Sequence, residues 1–287
     1  MSLFKGPMRQ HIPGHKELSD HVDIMEVKAG SKVFIPLICG PSVNLEILVK
    51  EGDHVSIGTK VAQCNERNVV PIFASVSGTV TGTQKLMHSS LKPVEHLVIE
   101  NDGLYERVRS FEPLDYKSAD RTALIDFMMN AGIIGLGGAG FPAYIKYKFA
   151  KDVKKLIINA VECEPFITAD YKMIQAHKEE FVTGVAAMKK MAMAPEAVIA
   201  IKKTHPDLIQ FVEEAIKGME GFSVVAVPDV YPMGWERVLV REIMHAEYEK
   251  LPGEVGAIVN NATTAIAFGE ALLTGTPIVS KTLTVSG

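Results

Sequence analysis

This chain has no apolar run approaching the roughly 20 residues needed to span a bilayer, and its N-terminus lacks the apolar core of a cleavable leader. Cysteine is scarce. Cys39, Cys64 and Cys163 are odd in number and far apart, which excludes a disulfide framework and fits a reducing compartment. No C-x-x-C pair occurs, so the chain offers no zinc-ribbon or cluster-ligand spacing. No strongly basic stretch is present and the net charge is −4, which argues against nucleic acid as a partner. The nine histidines form no metal pattern: His11 and His15 are spaced i, i+4, but Pro13 and Gly14 break any helix between them, so both read as surface residues. No Ser-His-Asp arrangement, internal repeat or low-complexity segment stands out. No metal site and no catalytic side chain is expected.

What remains is ordinary globular composition, 47% apolar and 22% charged over 287 residues, enough for two domains or one large one. Residues 1–30 are polar, punctuated by Pro13 and Gly14, and read as an irregular N-terminal arm. From residue 31 the texture becomes short β runs: Val33–Ile38, Asn44–Val49, Lys60–Ala62, Pro71–Phe73, Thr79–Thr83 and Leu97–Glu100. Turn signals separate them, notably Glu51-Gly-Asp53, Ile57-Gly58 and Ser77-Gly78. The segments 49–61 and 74–80 resemble the two halves of a biotinyl/lipoyl-type β sandwich. In that family a lysine on the central hairpin carries the cofactor, whereas residues 63–70 here contain no lysine, which leaves a bare scaffold.

A linker is expected over 104–118, and beyond it the pattern alternates. Helices are expected at Ala119–Ala131, Tyr144–Ala150, Pro206–Lys217, Glu236–His245 and Thr263–Leu273, with one long or two short ones over Asp170–Met191. Strands are expected at Lys155–Ala160, Ala197–Ile201, Phe222–Val227 and Val255–Asn260. This predicts a largely parallel sheet covered on both faces, with ligands at the strand C-terminal ends. After Pro277 a further β run, Ile278–Val285, is expected, and its abrupt end predicts that another element is missing.

Four polar turns carry the chemistry. In the first, Gly132-Ile-Ile-Gly-Leu-Gly-Gly-Ala-Gly-Phe-Pro142, five glycines in nine residues leave the backbone bare for a ligand. Pro142 suits the first turn of a helix whose N-terminus favours an anion, so the loop reads as a phosphate cradle. Gly135–Gly140 fits G-x-G-x-x-G, with Glu162 near the spacing of a ribose-binding acid. A Rossmann dehydrogenase needs a strand just before that loop, and Leu124–Ala131 looks helical instead. A P-loop is excluded because Phe-Pro, not Lys-Ser/Thr, follows Gly140. The bland reading is a tight packing turn.

The second turn, Asn159–Pro165, offers an amide for a ring edge and acids for ribityl or ribose hydroxyls, or is simply a solvated acidic loop. The third, Tyr231–Arg237, combines Gly234 for close approach with aromatics that stack, or is a plain helix start. The fourth, Asn260-Asn-Ala-Thr-Thr264, either caps a helix or binds phosphate. Taken together they are expected to form a single site.

These clusters resemble the flavin-binding subunits of NADH-oxidising respiratory complexes, above all the RnfC family of the Rnf ion-translocating NADH:ferredoxin oxidoreductases, and more distantly the FMN-binding subunit of complex I. The likeness rests on Gly135–Pro142 with Lys146, on Asn159–Pro165, on Tyr231–Glu236, and on Asn260-Asn261 with Thr263-Thr264. It implies an α/β, Rossmann-like FMN-binding domain of the complex I flavoprotein type over 119–275, preceded by a small β barrel-sandwich hybrid domain over 31–103.

By the same resemblance, Gly135, Gly137, Gly138, Lys146, Asn159, Glu162, Gly234, Asn260, Asn261 and Thr264 would hold FMN. Phe141, Glu164 and Glu236 would meet NADH. Trp235 departs from the family, which has glycine or an acid there, and its indole is expected to crowd the nucleotide. The family continues into a β-grasp domain, begun here over 276–287, and then into two 4Fe-4S motifs, so this chain is expected to be a shortened form whose iron–sulfur acceptors lie elsewhere. The implied setting is a membrane redox complex, peripheral on the cytoplasmic side, with the other subunits as partners and ferredoxin reached indirectly. Relatives that serve amino-acid or cobalamin reductases, and a non-catalytic docking scaffold, are the competing readings.

Overall fold

The computed structural model describes residues 12–39, 44–64 and 69–286. His11, half of the lysine-free stretch between the sandwich halves (residues 65–68) and Gly287 lie outside them. The chain forms two compact units, one of residues 25–145 and 270–281, the other of residues 1–24, 146–269 and 282–287.

The first unit is a β sandwich. Strands β1 (Lys32–Pro36), β2 (Glu46–Ile47), β3 (His54–Val55), β4 (Lys60–Gln63), β5 (Ile72–Phe73), β6 (Gly78–Met87) and β7 (Pro93–Asn101) form two sheets. One has the order β1-β7-β6-β3 and the other β2-β4-β5, and every pairing is antiparallel. Ile35, Val55, Val61, Val80, Leu97 and Ile99 form part of its core. Alternating apolar residues on short strands produce this arrangement, because each sheet must bury one face. Strand β3 is absent from the sequence expectation: two residues, His54 exposed and Val55 buried, are too short to show a period.

The segment 104–118 is strapped along this unit. The Val108 amide donates to the Ile57 carbonyl at 2.9 Å, Ser110 to Gly275 at 3.1 Å and Leu114 to Leu272 at 2.9 Å. Its hydrogen bonds go to scattered partners, not to a ladder, so it carries no strand pattern. Helix α1 (Arg121–Asn130) follows, capped by Asp120, whose carboxylate accepts from the Ala123 amide at 2.8 Å. Phe73, Phe111 and Phe127 meet edge to face, both ring pairs 5.7 Å apart, and hold this helix on the sandwich.

The second unit is built on a parallel sheet of β8 (Lys155–Ala160), β9 (Glu196–Lys202), β10 (Phe222–Val227) and β11 (Ala257–Asn261) in the order β10-β9-β8-β11. Leu156, Ile157 and Ile158 are all fully buried, which requires cover on both faces and explains the unbroken apolar run. The helices are α2 (Tyr144–Lys148), where the chain crosses from the first unit, α3 (Ala169–Ala176), α4 (Lys178–Ala192), α5 (Pro206–Ala215), α6 (Glu236–Met244) and α7 (Ala262–Thr274). The region Asp170–Met191 is thus two helices, broken at His177. Helix α6 packs Leu239 and Val240 against Ile157, Ala257 and Val259.

The β run expected over 278–285 does not form, and residues 276–286 are irregular. Side-chain bonds serve instead, such as the Thr168 amide donating to Thr284 Oγ1 at 3.1 Å.

Candidate functional site

The glycine run lies in the first unit, after helix α1 and not after a strand. The chain therefore lacks the strand–loop–helix context of a Rossmann fingerprint. Pro142 does not open a helix either. It bridges Ile134 in antiparallel fashion, with the Gly135 amide donating to the Phe141 carbonyl at 2.8 Å and the Ala143 amide to Ile133 at 3.0 Å. Helix α2 begins two residues later and has only five residues, too few for a useful dipole. The phosphate-on-a-helix expectation is corrected to a small backbone hairpin.

The glycines differ in what the fold demands of them. Gly132 and Gly140 have φ of +73° and +68°, and a Cβ on Gly132 would lie 3.1 Å from the Phe73 ring. Gly135 and Gly138 have no such φ. A Cβ on Gly135 would meet nothing closer than 3.6 Å, and one on Gly138 nothing within 4 Å. Conformation accounts for Gly132 and Gly140, Gly135 sits in ordinary contact with the Phe141 backbone, and Gly138 alone stands beside open space, as a backbone cradle for a ligand requires. Gly137, Gly138 and Phe141 are exposed.

The other three turns lie in the second unit and are knitted into one network at the C-terminal ends of β8 and β11. Asn159 and Asn261 are register partners there. Asn159 accepts from the Val161 amide at 3.0 Å and donates to the Gly234 carbonyl at 2.8 Å, tying the second turn to the third. Gly234 is needed for that approach, since a Cβ would lie 2.3 Å from the Val161 carbonyl. Asn261 donates to Asp170 Oδ2 at 2.6 Å and accepts from the Thr263 amide at 3.0 Å. Asn260 donates to the hydroxyl of buried Tyr147 at 2.5 Å, and Thr264 is fully buried.

Lys146 brings a cation to this network. Its Nζ donates to the Val259 carbonyl at 2.6 Å and lies 3.7 Å from Glu236 Oε2. Burial pulls its pKa down and Glu236 pushes it back up. Glu162 accepts from the Asp170 amide at 2.8 Å and the Tyr171 amide at 3.1 Å, and so caps helix α3. Its pKa is pushed up to about 8, first by burial and then by the Asp170 carboxylate, against the opposing pull of those amides and of Lys16. Glu164 accepts from the Tyr231 hydroxyl at 3.0 Å. Trp235 is half exposed, and its ring stands edge-on to Tyr231 with centroids 5.9 Å apart.

Sequence reasoning missed several members. Asp170 and Tyr147 lie inside expected helices, and nothing local marks them as partners of the two asparagines. Lys202 and Asp229 form an ion pair of 2.7 Å at the ends of β9 and β10. A lysine closing an apolar strand was the available signal. Among the described residues, no group of three or more His, Cys, Asp and Glu is placed to hold a metal ion, and no helix is long and apolar enough to cross a membrane.

Two family models match the chain: the RnfC barrel sandwich hybrid domain over residues 4–104 and the Nuo51 FMN-binding domain over residues 128–269. The C subunit of the Na(+)-translocating ferredoxin:NAD(+) oxidoreductase complex of Acetobacterium woodii is 32% identical over 289 residues, covering 99% of this chain and 65% of that one. The C subunit of the proton-translocating ferredoxin:NAD(+) oxidoreductase complex of Clostridium ljungdahlii is 32% identical over 292 residues, covering 100% and 63%. The chain thus spans just under two thirds of the length of these curated relatives. Among solved structures, an NAD+-reducing [NiFe]-hydrogenase in the H2-reduced state aligns with a TM-score of 0.44 at 21% identity, over 55% of this chain and 32% of that one.

Proposed function

We propose, from the premise that the chain belongs to the RnfC family of ion-translocating oxidoreductase subunits, that it is the flavin module of such a complex and that its substrate is NADH. When bound, FMN supplies the chemistry, taking a hydride from NADH and releasing single electrons to an iron–sulfur centre outside this chain. The chain's own residues bind, orient and tune.

The observation that carries this reading is the joining of three strand-end turns, through Asn159, Gly234, Asn261 and Asp170, beside the partly buried cation Lys146. Amides and a partly desolvated ammonium are the groups that a flavin ring edge and an anionic tail require. Gly138 has open space beside its Cα and so leaves room for a phosphate, while Gly135, whose amide is bonded to the Phe141 carbonyl, shapes the loop. In this proposal Gly135, Gly137, Gly138, Lys146, Asn159, Glu162, Gly234, Asn260, Asn261 and Thr264 hold FMN, while Phe141, Glu164 and Glu236 meet NADH. Glu162 acts through helix α3, because both of its carboxylate oxygens accept from that helix.

The partners proposed are the other subunits of the membrane complex, with ferredoxin reached indirectly from the cytoplasmic side. The test is a titration of the purified chain with FMN, followed by NADH without oxygen. Quenched flavin fluorescence and NADH-dependent bleaching are expected. A chain that stays colourless is instead a docking scaffold.

A further inference from the structure

We infer that the N-terminal arm is a clamp on the turn that bears Glu162 and Glu164, and that Lys16 is its positioning residue for the nucleotide site. Among the described residues of the arm, residues 14–19 seize residues 164–167. Lys16 Nζ donates to the carbonyl of Glu164 at 3.0 Å and also to that of Ile167. The Phe166 amide donates to the Gly14 carbonyl at 2.7 Å, and the Phe166 carbonyl accepts from Ser19 Oγ at 2.5 Å. The His15 ring, exposed as expected, stacks on the Phe166 ring with centroids 5.3 Å apart and planes 16° apart. A one-turn 3-10 helix, Lys16–Leu18, brings Lys16 and Ser19 to one side, since residues three apart eclipse in that geometry.

Two features separate this contact from incidental docking. Phe166 has φ +67°, a left-handed backbone that a bulky residue rarely adopts. Both backbone polar groups of Phe166 are satisfied by the arm, so the arm holds that conformation in place. The Lys16 ammonium is also half-buried. Burial pulls its pKa down, Glu162 is the largest influence pushing it up, and Lys202, the Cys163 thiol and Asp229 are the other groups that act on it. A desolvated lysine opposite a buried acid sets the charge around the turn as well as its shape.

The functional half of this inference rests on the flavin-and-NADH reading above, and the test separates the two. Amide exchange over residues 164–168 is measured in the flavin-free chain for wild type, Lys16→Met, Ser19→Ala and Lys16→Arg. NADH binding is followed separately by the nucleotide's own fluorescence, and FMN binding by flavin quenching. The clamp requires exchange about tenfold faster in Lys16→Met, and faster also in Ser19→Ala, because the opening of a local unit sets its protection. It further requires NADH binding about tenfold weaker or worse in Lys16→Met with FMN affinity within threefold of wild type, since small misplacements near a reacting centre cost that much or more. Lys16→Arg, which keeps donors for both carbonyls, should restore most of each.

Unchanged exchange in Lys16→Met, or exchange in wild type already as fast as in an unstructured peptide, overturns the clamp. Faster exchange with unaltered NADH binding overturns the positioning role. If wild type binds neither flavin nor nucleotide, the reading of the site fails, and the exchange result still decides the clamp.

Discussion

Glu162 caps the helix that begins beside Asp170, accepting from the Asp170 amide at 2.8 Å while the Asp170 carboxylate pushes its proton affinity up. The bond and the repulsion act in opposite directions on one carboxyl. Burial decides the outcome, placing the pKa at about 8 against an ordinary 4.5. The folded chain therefore holds a proton there that the unfolded chain has released between those values. Its stabilising effect is complete below about pH 4.5 and is lost as the pH rises through about 8. The midpoint of urea unfolding should fall across that range, by an amount equivalent to ~2 kcal/mol or more. In Glu162→Gln, which carries no titrating group, most of that slope should vanish.

The glycine loop separates packing from ligand. Gly132→Ala should destabilise the flavin-free chain by about 1–2 kcal/mol, through its left-handed φ and the Phe73 ring, and Gly140→Ala through its φ alone. Gly138→Ala should leave the melting temperature of the flavin-free chain unchanged, since the added methyl meets open space. It should nevertheless weaken FMN binding about tenfold or more. A Gly138→Ala variant with wild-type FMN affinity would show that the loop is no cradle.

Lys146→Met keeps the aliphatic stem and removes the charge. The folded chain has little to lose, because the partly buried ammonium already incurs a desolvation cost. The melting temperature should stay within a few degrees, while the FMN dissociation constant rises roughly 10- to 100-fold, as expected for losing one charge-assisted contact. Equilibrium titration by flavin fluorescence measures both ends of that range.

Helices α4 and α7 touch backbone to backbone. A Cβ on Gly184 would lie 1.8 Å from the Ala265 carbonyl, and one on Gly269 at 1.8 Å from that of Glu180. Gly184→Ala must push the helices apart and should cost ~3 kcal/mol, which calorimetry would register as a melting point lower by about 10 °C.

Trp235 starts helix α6 and its side chain makes no capping bond, so Trp235→Gly should fold normally. If the indole crowds the nucleotide, the variant will bind NADH about tenfold more tightly, the scale of relieving one steric conflict. Weaker binding in the same titration would instead make the indole a stacking surface.

Local chemistry reached a long way into this protein. The alternation of Val, Ile and Leu runs with helix-forming stretches dictated the parallel sheet. Strands Lys155–Ala160 and Phe222–Val227 are bounded as their residues predict, because their β-branched and apolar runs are cut off at each end by polar residues or turns. The polar turns at strand ends were equally legible, since Asn, Gly and Pro signal the break where a run stops. The family resemblance added the flavin role proposed for them.

Tertiary structure decided what depends on partners distant in sequence. Asn261 meets Asp170 across 91 positions, and Lys16 meets Glu164 across 148. No periodicity encodes such pairs, because they arise only when separate elements are packed. The same holds for Gly135 and Gly138, which look like Gly132 and Gly140 in the chain. Only the φ angles and the space around each Cα separate glycines that the fold needs from glycines it leaves bare.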